Sequence, residues 1–142
     1  MNILISACLL GMNCRYNGEG QIIPNTDQLI EKHHLVPICP EIYGGLSTPR
    51  EPSEIKNGRV ISKNGNDLTE YFERGAQEIL ALAKLYHCKY AILKQRSPSC
   101  GYKKIYDGTF SGKIISGKGV LAELLLKNGV IIVDETEIHK LT

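Results

Sequence analysis

The stretch Tyr90-Ala91-Ile92-Leu93-Lys94-Gln95-Arg96-Ser97-Pro98-Ser99-Cys100-Gly101 decides how this chain folds. Its first four residues are apolar, with no polar alternation, which predicts a short buried strand. The Ser-Pro-Ser-Cys-Gly sequence that follows favours a tight loop rather than continuation of the strand. The loop therefore presents a thiol, two hydroxyl groups and several backbone N–H groups close to the end of a strand.

Two further apolar runs also end on a cysteine. Residues 2–6 lead into Ala7-Cys8, and residues 35–38 lead into Cys39-Pro40-Glu41. Runs of this kind are typical of parallel strands that are covered on both faces. Three strands, each followed by a cysteine, are the central pattern of the sequence.

Helices are predicted between these strands, because apolar residues recur there at three- and four-residue spacing. The predicted helices are a short one over residues 26–33 capped by Asn25 or Thr26, a long one over 68–83 with Asp67 and Glu70 as a capping box, and one over 120–127 ended by Asn128-Gly129. A last strand is predicted over 130–133, a hairpin at Asn57-Gly58 and a second hairpin turn at 106–109. Pro37 indicates either an edge position for its strand or a gap in the ladder of hydrogen bonds. Residues 41–65 show no helical periodicity, which is typical of a functional connection.

This alternation predicts one α/β domain over residues 1–142. We expect three layers, with a small, mainly parallel sheet of Rossmann or flavodoxin-like type, helices on both faces and short hairpin insertions. Ligands of such sheets bind beyond the carboxyl ends of the strands, near the point where the strand order reverses. Cys8, Cys39 and Cys100 are therefore expected to lie at that edge.

Composition limits the classes of function. A net charge of +2 over 142 residues is too small for non-specific nucleic-acid binding, so tRNA is a possible partner but not a favoured one. The start of the chain lacks the basic region of a signal peptide, and no apolar run approaches the ~20 residues of a membrane helix. Five cysteines, an odd number, favour reduced thiols in the cytoplasm. The sequence carries no signal for the number of subunits.

Thiols in this pattern suit several chemistries. A buried cysteine is most often a small apolar side chain, which is our interpretation of Cys88, whereas Cys14 lies in a loop beside Arg15 and is a reserve thiol. A phosphatase-like loop is excluded, since the spacing from Cys8 to Arg15 is one residue too long. Zinc lacks the paired Cys-x-x-Cys of structural sites, although a three-thiolate zinc stays open. Thiolates equally suit an iron–sulfur cluster, and three of them would leave one iron free for substrate.

Several motifs, which together cover nearly the whole chain in one order, resemble a single family. They are Ser6-Ala7-Cys8-Leu9-Leu10-Gly11, Cys14-Arg15-Tyr16-Asn17-Gly18, Cys39-Pro40-Glu41 with Gly44-Gly45-Leu46 and Thr48-Pro49-Arg50, Ser97-Pro98-Ser99-Cys100-Gly101, and Tyr106-Asp107-Gly108-Thr109-Phe110-Ser111-Gly112. The family is that of the thiouracil desulfidase-like proteins, once catalogued as a domain of unknown function.

The resemblance implies a 4Fe-4S cluster held by Cys8, Cys39 and Cys100, with the fourth iron open to the sulfur of a thiolated uracil base or nucleotide. Glu41 and Ser97 are the implied catalytic residues. The implied reaction is hydrolytic, C=S to C=O, without electron transfer. Such a cluster is oxygen-sensitive, so we expect aerobically prepared protein to lose it.

Substrate contacts are expected from Arg50, Ser99 and Gly101, and the planar guanidinium group of Arg50 or Arg96 suits a nucleotide phosphate. Structural alternatives exist for the catalytic pair: Glu41 as a helix cap or a partner of Arg50, and Ser97 as a stabiliser of its own turn. Two other classes of function use the same thiols. One is a metal or redox sensor without turnover, and the other is a persulfide sulfur carrier in which Cys14 resolves the persulfide.

Overall fold

The structure is a computed structural model that describes residues 1–142. Its helices and strands follow one another in the order β1 (Asn2–Ser6), α1 (Thr26–Lys32), β2 (His34–Ile38), α2 (Pro40–Tyr43), β3 (Ser53–Lys56), β4 (Arg59–Ser62), α3 (Thr69–Leu85), β5 (Tyr90–Leu93), β6 (Lys104–Tyr106), β7 (Ile114–Ser116), α4 (Val120–Lys127) and β8 (Ile131–Asp134). Short 3-10 helices cover Ala7–Leu10 and Ile138–Lys140.

Four strands form a parallel sheet in the spatial order β2–β1–β5–β8. The chain first moves from β1 to β2 on one side and then crosses back to β5 on the other. The strand order therefore reverses between β1 and β5, which is where open α/β sheets bind ligands. The predicted α/β fold with a parallel sheet is confirmed. Pro37 lies in the edge strand β2, as its missing N–H group requires.

Helices pack on both faces of the sheet, and this explains why the strands lack polar alternation. On one face, the fully buried Leu4 joins a cluster with Ile79 of α3 and Leu121 of α4. On the other face, Ile3 and Ile5 pack with residues of α1 and of the two 3-10 helices. None of the helices combines the length and the apolar content needed to cross a bilayer.

Both predicted hairpins are present as separate two-stranded sheets, β3–β4 and β6–β7. Asn57 and Gly58 have φ values of 52° and 76°, the left-handed backbone that a tight hairpin turn requires. The β6–β7 connection spans residues 107–113, so its turn is longer than predicted. The hairpins therefore extend the fold beyond the parallel sheet.

The structure differs from the predicted local details at three places. The sequence predicts no helix over residues 41–65, but α2 overlaps the start of this stretch; a single helical turn is too short to show periodicity. Asn25, one of the two residues predicted as the cap, is the N-cap of α1, but its side chain makes no capping bond. The predicted capping box of α3 is absent: Asp67 accepts the N–H of Thr69 at 3.0 Å and pairs with Arg59 at 2.9 Å, without a reciprocal bond from Glu70.

The helices α2 and α3 touch through their backbones. A Cβ atom at Gly75 of α3 would lie 1.9 Å from the carbonyl oxygen of Pro40, and one at Gly44 would lie 2.0 Å from that of Tyr71. Only glycine permits this approach. The contact fixes α2, and with it Cys39, which immediately precedes the helix, and Glu41 in its first turn.

We expect Gly75→Ala to lower the free energy of unfolding. Alanine is the better helix former by ~1 kcal/mol, but the clash with the Pro40 carbonyl forces the two helices apart at a cost of ~1–3 kcal/mol or more. Urea unfolding would measure the difference. Gln77→Ala, at an exposed position of the same helix, is the control. Unchanged or greater stability of Gly75→Ala would refute the close contact.

The ion pair between β4 and the start of α3 predicts a pH dependence. Hydrogen bonds from Thr69 and Arg59 lower the pKa of Asp67 to about 2. A carboxylate with a lowered folded-state pKa stabilises the protein above its unfolded value of 3.8, and this contribution is lost as the pH falls through about 2. Asp67→Asn should therefore have a lower urea midpoint than the wild type at pH 7. The difference between the two midpoints should shrink steadily as the pH is lowered from 4 to 2.5. A difference that is constant over this range would contradict the assignment.

Candidate active site

A cavity of about 910 Å³ opens at the carboxyl ends of β1, β2 and β5. Four thiols line it. Cys8 follows β1, Cys39 follows β2, Cys100 follows β5 through its loop, and Cys14 comes from the irregular segment after the first 3-10 helix. The structure thus brings the three strand-end cysteines to one place and adds Cys14 to them. Cys88 packs in the core beside α3 and α4, away from this cavity.

The cavity thiols are free and largely withdrawn from water. Cys8, Cys14 and Cys100 are buried, whereas Cys39 is partly exposed. The hydroxyl of Ser6, at the end of β1, donates to Cys100 Sγ at 3.5 Å and accepts the backbone N–H of Lys94 at 2.9 Å. This serine therefore connects the ends of β1 and β5 beside a thiol. The sequence did not predict this role, and its only signal was the position of Ser6 two residues before Cys8.

Burial also governs the ionisation of these thiols. Burial raises the pKa of Cys8 and of Cys39 to about 12 each, and it raises the pKa of Cys100 well above the ordinary thiol value. The nearby carboxylate of Glu41 raises all three pKa values further. The thiolate form is therefore unfavourable unless a cationic centre compensates its charge.

Glu41 is held by the loop after β5. Its Oε1 accepts a hydrogen bond from Ser99 Oγ at 2.8 Å, and its Oε2 lies 3.8 Å from Cys39 Sγ. Glu41 forms no ion pair, since Arg50 is engaged elsewhere. The carboxylate thus faces a thiol-lined cavity with one oxygen fixed by a neutral donor.

The serines of the loop form a directed chain of hydrogen bonds. The Ser99 hydroxyl has one hydrogen, which goes to Glu41 Oε1 at 2.8 Å rather than to the more distant Cys100 Sγ at 3.6 Å. Ser97 Oγ lies 2.9 Å from Ser99 Oγ, so Ser97 donates to Ser99. Ser97 Oγ also accepts the backbone N–H groups of Ser99 and Cys100, each at 3.1 Å. Ser97 therefore stabilises its own turn, which was the structural alternative to a catalytic role. It is also joined to Glu41 by hydrogen bonds through Ser99.

The expected substrate contacts occupy different positions. Arg50 lines the cavity, as does the expected catalytic residue Ser97, whereas Ser99 is fully buried behind Glu41. Gly101 is buried too, in a turn so tight that a Cβ atom would lie 2.7 Å from the carbonyl oxygen of Ser97. Neither Ser99 nor Gly101 lines the cavity.

Arg50 binds backbone rather than a carboxylate. Its guanidinium donates to the carbonyl oxygen of Cys14 at 3.0 Å, to that of Ser47 at 3.2 Å and to the Thr48 hydroxyl at 3.0 Å. Its own N–H donates to the carbonyl of Tyr16 at 2.8 Å. Arg50 therefore ties the Cys14 segment to the connection that follows α2.

Charged side chains of both signs line the cavity. Lys94 pairs with Glu135 at 3.0 Å, and Lys103 with Glu137 at 3.7 Å. Five other basic side chains line the cavity without an ion-pair partner: Arg15, Arg50, Lys63, Arg96 and Lys104. Four carboxylates that line it have no ion-pair partner either: Glu41, Glu51, Glu54 and Asp134. The planar guanidinium groups of Arg15 and Arg96 suit an anionic group on a ligand.

Comparison with known proteins shows which family of proteins this chain resembles. The profile of the 2-thiouracil desulfurase family matches residues 3–137. The uncharacterized protein YbbK of Bacillus subtilis (strain 168) is 43% identical over 147 residues, which cover 96% of this chain and 97% of that protein. The solved structure of the 4Fe-4S-dependent thiouracil desulfidase TudS superposes with a TM-score of 0.94 at 39% identity, covering 99% of this chain and 94% of that one. The chain therefore belongs to the 2-thiouracil desulfurase family.

Proposed function

We propose that this protein is a 4Fe-4S-dependent desulfidase that converts the C=S group of a thiolated uracil to C=O by hydrolysis. Family membership and the match to TudS support this activity. The observation that carries the proposal is the meeting of Cys8, Cys39 and Cys100 in one cavity beside Glu41. A sensor without turnover would use the thiols but would have no use for a carboxylate positioned by a serine chain.

The residues present fit an iron–sulfur cluster. Thiolates are the ligands that such clusters take, and Cys8, Cys39 and Cys100 supply three of them from three strand ends. When bound, a cluster with three protein ligands supplies a soft Lewis-acid iron for a thiocarbonyl sulfur. We assign Cys14 to the loop rather than to the cluster, because it does not follow a strand. Arg50 donates a hydrogen bond to its carbonyl oxygen and holds its backbone in the loop.

Glu41 is assigned the proton transfers. A carboxylate with one oxygen fixed by Ser99 can use its other oxygen, which lies 3.8 Å from Cys39 Sγ, to take a proton from water or to deliver one to a ring nitrogen. Ser99 orients this group from behind. Ser97, which lines the cavity, donates to Ser99 and so keeps the Ser99 hydroxyl directed at Glu41.

A nucleotide offers the cavity a charged contact that a free base lacks. The planar guanidinium groups of Arg15 and Arg96 line the cavity without an ion-pair partner and suit a phosphate, whereas a pyrimidine ring alone gives them no anion to bind. Arg50 is less available for this contact, because its guanidinium is engaged with backbone carbonyls. We therefore propose a thiolated uridine nucleotide as substrate. A tRNA is not favoured, since the net charge is only +2.

Loss of one proposed ligand should remove the cluster. Protein purified without oxygen is expected to contain iron and acid-labile sulfide in near-equal amounts. Cys100→Ala should lose most of both, and so should Cys8→Ala and Cys39→Ala, while Cys14→Ala and Cys88→Ala retain them. Metal and sulfide analysis, with circular dichroism to confirm folding, would test this. Full cluster retention in Cys100→Ala would refute the ligand assignment.

Replacement of Glu41 should abolish turnover but not the cluster. Glu41→Gln keeps an oxygen that accepts from Ser99 but removes the base, so sulfide release from 4-thiouracil or its nucleotide should fall by ~10²-fold or more. Ser97→Ala should lower sulfide release less than Glu41→Gln does, because Ser99 still donates to Glu41. Iron content serves as the control for both variants. Wild-type rates in Glu41→Gln would disprove the assigned role.

A further inference from the structure

The loop between β6 and β7 places an aromatic ring at the cavity. Phe110 lines the same cavity as the four thiols, and its backbone φ is 56°. Residues with a Cβ atom rarely adopt this left-handed conformation, and it persists only where the surroundings enforce it. Neither the cluster nor the proton transfers use this ring, so the conformation calls for another explanation.

A buried carboxylate on the other hairpin enforces it. Glu54 of β3 has only 9% of its surface exposed, and it forms no ion pair. Its Oε1 accepts the backbone N–H of Gly108 at 3.0 Å and that of Phe110 at 3.1 Å. Such bonds to a charged acceptor are among the stronger ones in proteins. Glu54 thus fixes the backbone on both sides of Thr109.

Close packing holds the same loop against β3. A Cβ atom at Gly108 would lie 2.8 Å from the carbonyl oxygen of Ile55. Within the loop, Asp107 Oδ1 accepts both the N–H and the hydroxyl of Thr109, and the Thr109 hydroxyl lies 2.6 Å from that of Ser111. The loop is therefore a rigid support, and the position of Phe110 on it is determined.

We propose that Phe110 is the surface on which the pyrimidine ring of the substrate stacks, and that Glu54 is the positioning residue that holds it there. This inference rests on the proposed function. The apolar ring of Phe110 can form neither a hydrogen bond nor an ion pair with the basic, acidic and thiol groups that line the cavity, so its contact with a ligand is through its face. A planar base supplies the complementary face, because aromatic rings stack favourably with offset.

Three other aromatic residues line the cavity and fit this role less well; one of them, Phe72 of α3, has only 2% of its surface exposed. Tyr16 lies in an irregular loop with 44% of its surface exposed, and Tyr106 belongs to β6. Neither has the left-handed backbone or the carboxylate support that Phe110 has. They provide matched comparisons for the test.

The test compares two product-like ligands that differ in planarity. Uracil has a planar ring with a π face, whereas 5,6-dihydrouracil keeps the same carbonyl and N–H groups on a puckered ring. Calorimetry on the anaerobic, cluster-loaded protein should show uracil binding ~10-fold more tightly. Phe110→Leu should bind the two ligands about equally, while Phe110→Tyr and Tyr106→Leu should preserve the preference.

Glu54 is tested through Phe110. Glu54→Gln retains an oxygen for both N–H groups and should preserve the preference, whereas Glu54→Ala should weaken it. In turnover of 4-thiouracil, Glu54→Ala should raise KM several-fold and change kcat less than twofold, a separation that general loss of structure would not produce.

Retention of the uracil preference in Phe110→Leu, or its loss in Tyr16→Leu or Tyr106→Leu instead, would overturn the stacking role. The outcome is independent of the proposed reaction. If the wild-type protein released no sulfide, the desulfidase activity would fail, while a preference for uracil that depends on Phe110 would still show how the cavity recognises a base.

Discussion

The parallel pairing of β1 with both of its neighbours is the constraint on which the site depends. Ser6, the last residue of β1, lies opposite Ile38 of β2, and Ile5 lies opposite Ile92 of β5. These registers bring three strand ends to one edge of the sheet. A slip of one residue would move the side chains of a strand to the opposite face and expose apolar residues that are now buried. Core packing thus sets the register, and the register sets where the cysteines leave the strands.

The groups gathered at this edge are costly to bury in the absence of a ligand. Thiols with pKa values raised by burial, and a carboxylate without an ionic partner, contribute little to the stability of the fold. The sheet and the backbone contact between α2 and α3 compensate for them. Local sequence choices that oppose stability are expected at functional sites, because preorganised polar groups serve chemistry rather than packing. The same reasoning applies to Phe110, whose backbone conformation is unfavourable unless Glu54 supports it.

The sequence predicts the sheet and the long helices well, because their apolar spacing extends over many residues. The Asn57-Gly58 hairpin was equally clear, since few sequences other than Asn-Gly turn so tightly. What could not be predicted are interactions between residues far apart in the chain. The hydrogen bond from Ser99 to Glu41 spans 58 positions, and the one from Phe110 to Glu54 spans 56. No local pattern records such pairs, and for this reason Ser99 was expected at the substrate rather than behind the carboxylate.

The position of Cys14 shows the same limit from another direction. It does not follow a strand, so strand-end reasoning set it apart from the other three thiols, yet it lines their cavity. Its segment is brought there by Arg50, which donates to the Cys14 carbonyl across 36 positions. The sequence suggested that Arg50 is a surface residue available to a phosphate. In the structure its guanidinium group is largely occupied by hydrogen bonds that hold the Cys14 segment in place.

The two sides of the cavity come from different parts of the fold, and this division has a physical basis. The thiols and Glu41 stand on or next to the parallel sheet, where register and close helix packing restrict movement. Phe110 and Glu54 stand on two antiparallel hairpins that are separate from the parallel sheet and are joined to each other by hydrogen bonds. Inserted segments of this kind tolerate changes that a buried sheet does not. A reactive centre that must keep fixed geometry is thus held by the rigid part of the protein, while recognition of the base is assigned to a part that can vary without disturbing it.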